Sequence, residues 1–227
     1  MKVRFLLPLI FCIAAFGQQT PVSYSAAPYS GVSATVTVPA SAGDRLAIFT
    51  SAFVGADATV SFTDGGTTSQ LYRQASNYST AVTGSGVWFT VDSVTSDFIS
   101  QPITATWTGS GDIAPAVIVF DLGPTRGQSH FQAENTGTFV TSLSSGSMSV
   151  IRHPAVILNC VGAGLTVVDD WQADTANGWT FYTNSVTPQA ACEVLQITAP
   201  YLNSTSILWN IGIPVAHAYS AEIAFYY

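Results

Sequence analysis

The sequence predicts an all-β protein: an antiparallel two-sheet β-sandwich, jelly-roll-like, built from two similar halves. Three observations predict it. Segments of alternating apolar and Ser/Thr residues recur along the chain, with turn signals about every 8–12 residues. Beyond the first 17 residues, no window keeps apolar residues at helical spacing over three turns. The 227 residues are 48% hydrophobic and 12% aromatic but only 8% charged. That is enough apolar material for one large domain or two small ones, and too much for a disordered chain. An alternating strand has one greasy face, and two sheets stacked face to face hide both.

Residues 1–17 read as a signal peptide. Lys2 and Arg4 open it, an apolar run from Phe5 to Phe16 follows, and Ala15 and Gly17 place small residues where a signal peptidase cuts, before Gln18. The run is shorter than the roughly 20 residues that a bilayer span needs. Lipidation at Cys12 competes with this reading, but bulky Phe11 stands where a small residue is expected. The mature chain is therefore expected to be secreted, with no membrane span. It keeps four arginines, no lysine and thirteen carboxylates. Such a chain repels phosphate backbones and anionic lipid heads, which excludes nucleic-acid partners.

Residues 18–30 form a lead-in or an edge strand, and residues 31–227 the sandwich, with halves 31–123 and 136–227. In the first half, Val32, Ala34, Val36 and Val38 alternate with Ser33, Thr35 and Thr37. Residues 45–53 are apolar on both faces, which marks a central strand. Residues 58–63 give a third strand, closed by the tight-turn signal Asp64-Gly65-Gly66. Residues 67–74 return, and residues 86–94 alternate again. Residues 101–123 then read as a hairpin: a strand ending on Trp107, a Gly-containing loop and a strand ending on Phe120.

The second half repeats the order. Residues 154–162 match 45–53, residues 179–184 match 67–74, and residues 190–198 match 86–94. Residues 204–227 match the hairpin, with Trp209 for Trp107 and Phe225 for Phe120. Residues 138–143 and 147–151 stand in for the opening strand. The offset is 102 positions for the tryptophans and about 109 for the paired apolar strands, so the duplication rests on pattern rather than identity. The only linker candidate is residues 123–135. A single shared sandwich is the preferred reading, and two separate sandwiches the runner-up.

The run ATVTVPASAGDRLAIFTSAF, the Trp strand, the strand ending at Phe120 and Gly123, and the closing AYSAEIAFYY together resemble β-sandwich domains of secreted bacterial proteins and of phage tail and fibre proteins. The resemblance spans residues 31–227 and rests on core and turn residues. It implies a jelly-roll-like fold in a surface or adhesive setting, and no catalytic residues.

Candidate sites are few. Cys160 and Cys192 suit a disulfide in an oxidising compartment, against two separate buried thiols. Asp169, Asp170, Asp174 and Asn177 gather hard oxygen donors in one loop, as calcium prefers, although Asp and Asn also simply make turns. Trp171, Trp179 and Tyr182, beside Asp170 and Asp174, offer ring faces and acceptors to a sugar. The competing reading places Trp179 in the core and Trp171 over a sheet edge. Glu193 and Glu222 are the strand carboxylates that glycoside hydrolysis would need, and alternation sets both on outward, solvated faces. His130, His153 and His217 lack nucleophile and metal spacing. Asn77 and Asn203 fit the glycosylation pattern of a eukaryotic secretory route. The expected function is a secreted, non-catalytic surface, adhesive or structural module, with a carbohydrate-binding module as the alternative. Expected partners are a glycan or other copies of the chain.

Overall fold

The computed structural model describes residues 23–27, 29–52, 59–64, 72–74, 85–109, 115–124, 127–146, 148, 155–163, 180–184, 190–197 and 208–226. Among these residues the fold is all-β, without a helix, and its strand pairs are antiparallel. The first half contributes β1 (Ser23–Ala27), β2 (Tyr29–Ser30), β3 (Ser33–Ala40), β4 (Leu46–Ala52), β5 (Thr59–Asp64), β6 (Tyr72–Gln74), β7 (Ser85–Val91), β8 (Phe98–Thr108) and β9 (Ala116–Asp121). The second contributes β10 (Gly127–Ser144), β11 (Ala155–Ala163), β12 (Thr180–Asn184), β13 (Ala190–Ile197) and β14 (Leu208–Tyr226). There are three hydrogen-bonded sheets, not two: an outer sheet β2-β3-β8-β5, a middle sheet β1-β9-β4-β7-β6 and a C-terminal sheet β10-β14-β11-β13-β12.

The middle sheet explains why β4 and β9 carry apolar residues on both faces. Both are buried along their whole length. Leu46, Ile48, Val87, Phe89, Val117 and Val119 face the outer sheet, where they meet Val36, Val38, Ile103 and Trp107. The alternate residues Phe49, Trp88, Ile118 and Phe120 face the C-terminal sheet, where they meet Val156, Leu158, Tyr219 and Phe225. A sheet covered on both faces has no side for polar alternation to mark. β3 sits at the surface and keeps it: Ala34, Val36 and Val38 are buried while Thr35 and Thr37 are exposed.

The middle and C-terminal sheets approach closely. Trp88 Nε1 donates to the Ala221 carbonyl at 3.1 Å. The Phe49 and Tyr219 rings stack at 6.4 Å. Gly86 lies against Tyr219, where a Cβ would overlap the ring.

Neither expected hairpin is one. β8 pairs with β3 and β5 in the outer sheet, whereas β9 pairs with β1 and β4 in the middle sheet. The two strands therefore belong to different layers and do not pair with each other. In the second half β14 runs unbroken through Gly212 and Pro214. That turn signal falls between Asn210 and Val215, where the register against β10 breaks, so it bends the strand without reversing it.

Two of the sheets have matching strand orders. Substituting β10, β14, β11, β13 and β12 for β1, β9, β4, β7 and β6 converts the middle sheet into the C-terminal one. In the second half, β10 also takes the place of β3, and β14 the place of β8. The early part of β14 accordingly pairs with the late part of β10, through Leu143↔Trp209 and Ser144↔Leu208. The expected lead-in contains β1, an edge strand of the middle sheet.

Candidate functional site

β14 is 19 residues long. Trp209 and Glu222 lie thirteen positions apart on it, which is about 43 Å of straight strand. Both nevertheless bond one side chain, that of Asn159 on β11. The strand therefore curls, and its first residues fold over the C-terminal sheet on the face away from the middle sheet.

That curl encloses a polar centre. Ser145, Asn159, Trp209, Ser220 and Glu222 are all 0% exposed. Ser145 Oγ donates to Glu222 Oε1 at 2.5 Å, and Asn159 Nδ2 donates to the same oxygen at 3.0 Å. Asn159 Oδ1 accepts from Trp209 Nε1 at 2.8 Å and from Ser220 Oγ at 3.2 Å. Asn159 and Glu222 are direct register partners across β11 and β14. The segment bearing Ser145 is flanked by buried Leu143 and Met148. A carboxylate out of reach of water is tolerated only with donors supplied, and here a hydroxyl and an amide supply them.

This overturns the expected exposure of Glu222. Alternation assigned its face correctly: Tyr219, Ala221, Ile223 and Phe225 pack toward the middle sheet. The opposite face is not solvated, because the curled start of β14 covers it.

The repeat shows what is unusual here. In the first half, Trp107 Nε1 donates to Thr50 Oγ1 at 2.9 Å, and Thr50 pairs with Val117. Trp209, Asn159 and Glu222 are the corresponding residues. One half thus keeps a Trp–Thr contact beside a valine, and the other has an amide and a carboxylate at the same places. Sequence reading missed Ser145, Asn159 and Ser220. The available signal was Asn159, a lone amide inside the apolar run PAVILNCVG.

A second group of polar residues holds loops at one end of the first half. Asp44 Oδ2 accepts from the Ser41 amide and Asp97 Oδ1 from the Ala42 amide, each at 2.7 Å. Asp121 Oδ1 accepts from the Gly123 amide at 2.9 Å. Burial pushes the Asp121 carboxyl above its ordinary range; the Gly123 amide opposes this and the nearby Asp44 charge adds to it. Arg45 Nε lies 4.0 Å from Asp92 Oδ1.

The exposed face of the outer sheet is the third feature. Rows set by register read Ser33–Thr106–Ser61 and Thr35–Thr104–Thr63, with Thr59 beside Thr108. Thr35 and Thr104 hydroxyls bond at 2.8 Å, and those of Thr59 and Thr108 at 2.6 Å. These positions carry hydroxyls and methyls and no charge.

Of the sequence-predicted site residues, Asp169, Asp170, Trp171, Asp174, Asn177 and Trp179 lie outside the described residues, as do His153, Asn77 and Asn203. Tyr182 lies on β12, at the register irregularity between Phe181 and Thr183. Among the described residues, no group of three or more His, Cys, Asp or Glu is placed to hold a metal ion. No helix among them is long and apolar enough to cross a membrane. Cys160 is disulfide-bonded, and its backbone stands directly opposite Cys192 across β11 and β13. Directly opposed residues in antiparallel strands lie about 4.5–5.5 Å apart at Cα, within disulfide reach. Glu193 is the register partner of Asn159 on that same strand pair.

No protein family, curated protein or solved structure matches this chain.

Proposed function

We propose that the protein is a secreted, non-catalytic surface module, a jelly-roll-like stack of antiparallel sheets adhering through the exposed face of the outer sheet. The observation that carries the reading is the Ser/Thr grid of β3, β8 and β5. In a chain with a formal charge of −7, the described positions of this face carry no charge. An uncharged lattice of hydroxyls and methyls complements a neutral, hydroxyl-rich partner, and a glycan surface has that chemistry. The buried carboxylate supports the same reading from the other side. The one described constellation resembling catalytic machinery is sealed from any diffusing substrate.

The test is retention of the purified mature protein on insoluble neutral polysaccharides, compared with the triple variant Thr35→Lys, Ser61→Lys, Thr106→Lys. All three are surface positions, so the fold is expected to survive. The expected result is retention of the parent protein and at least tenfold weaker retention of the variant. Equal retention removes this face from the reading. Sedimentation of the unbound protein distinguishes glycan adhesion from pairing between copies.

A further inference from the structure

We propose that Ser145 and Asn159 join in an intramolecular ester bond which the folded chain forms by itself, with Glu222 carrying the proton. The inference goes beyond adhesion and needs no partner or cofactor.

The atoms are placed for it. Ser145 Oγ and Asn159 Nδ2 both bond the same carboxylate oxygen, at 2.5 and 3.0 Å. The hydroxyl and the amide are therefore neighbours, held together by the base that links them. Glu222 lies within the reach that general-base catalysis requires, about 2.6–3.2 Å. The amide carbonyl oxygen accepts from Trp209 Nε1 at 2.8 Å and from Ser220 Oγ at 3.2 Å. Two donors on one carbonyl oxygen polarise it and await the negative charge that an attacking nucleophile places there. A hydroxyl, a carboxylate and two carbonyl donors thus surround one fully buried amide, the set of groups that an acyl transfer needs.

The step balances without any co-reactant. Glu222 takes the Ser145 hydroxyl proton while Oγ attacks Cγ of Asn159, forming a C–O bond and an oxyanion at Oδ1. Glu222 then hands the proton to Nδ2, the C–N bond breaks, and ammonia leaves. The products are an ester and free ammonia, and nothing is oxidised or reduced. Burial excludes the water that would hydrolyse the ester. The bond would tie the end of β10 to β11, closing the layer that the curl of β14 builds. In the first half the matching positions are Thr50 and Val117, with neither amide nor carboxylate.

Trypsin supplies a direct test. After Lys2 and Arg4 the cleavable residues are Arg45, Arg73, Arg126 and Arg152. Ser145 lies on peptide 127–152 and Asn159 on peptide 153–227, while both Cys160 and Cys192 lie on the second, so reduction leaves the outcome unchanged. The expected result for the denatured, reduced protein is one species joining both peptides, lighter than their sum by one ammonia, stable to neutral hydroxylamine and separated by alkaline hydroxylamine, as an oxygen ester requires. Two unmodified peptides from folded protein overturn the proposal. Ser145→Ala is expected to give only separate peptides. Glu222→Gln is expected to lower the joined fraction after a fixed time by about a hundredfold or more. A Glu222→Gln protein joined as fully as its parent overturns the proton-carrying role. Should that variant fail to fold, mapping of the parent protein and of Ser145→Ala still decides the bond.

Discussion

Replacing Gly86 with alanine measures how tightly the middle and C-terminal sheets are pressed together. Two effects oppose each other. Gly86 lies within β7, and alanine there narrows the unfolded ensemble, which on its own stabilises by about 0.4–1 kcal/mol. Against this, the new methyl would overlap the Tyr219 ring and come within 3.1 Å of Phe49 Cζ. Tyr219 is 1% exposed and stacked on Phe49, so the ring has nowhere to move without displacing a second one. Overpacking of this kind costs about 1–3 kcal/mol. At mid-range the overlap wins, and a net destabilisation of about 1 kcal/mol, at most about 2.6 kcal/mol, is expected. For a chain of this length, each kcal/mol lowers Tm by about 2–4 °C. The assay is urea unfolding of Gly86→Ala alone and in a Tyr219→Ala background. With the ring gone the clash disappears, so the two changes are expected to couple by about 1–3 kcal/mol. Unchanged stability, or simple additivity, would refute the close contact between these sheets.

Other expectations follow from the same geometry. Trp107→Phe and Trp209→Phe each leave an acceptor in the interior without its indole donor, at a cost of about 1–3 kcal/mol in urea unfolding; equal stability of variant and parent would remove the matched anchoring of the two halves. Cys192→Ser is expected to lower stability by about 3–4 kcal/mol, the loop-closure value for a bridge between Cys160 and Cys192. Alkylation without reductant checks the same bridge, because two free thiols would exclude it. Asp121 has its folded-state pKa raised, so its folded form holds a proton that the unfolded chain has already lost. Its contribution is most favourable below the ordinary carboxylate range and weakens as pH rises through the unfolded and then the folded value. Asp121→Asn keeps an acceptor for the Gly123 amide and removes the charge. Thermal melts at pH 4 and pH 7 are expected to show less loss on the alkaline side for the variant than for the parent, and identical pH slopes would refute the assignment.

Much of the strand layout was legible in the residues because its cause is local. Alternation in β3 and the apolar residues on both faces of β4 and β9 reflect which faces each strand buries. Residues 154–162 and 190–198, which resemble 45–53 and 86–94, fall on β11 and β13, and these take the places of β4 and β7 in the strand order. The two hairpins failed for a physical reason. A Gly- or Pro-bearing break shows that a strand bends, while the partner waiting beyond the bend decides whether it reverses or crosses to another layer. The polar centre was illegible for the same reason. Its hydrogen-bonded pairs are separated by 50 to 77 positions in the chain, and the pairing of β11 with β14 and the curl of β14 bring them together.

Glu222 shows where that boundary falls. A period of two, set by backbone geometry within a few residues, determined the side of β14 on which it lies. What covers that side is fixed by Trp209 and Ser145, brought in from elsewhere in the chain. Local sterics settled its orientation, and only the packing of distant segments decided that this carboxylate would be dry and poised against a serine and an amide.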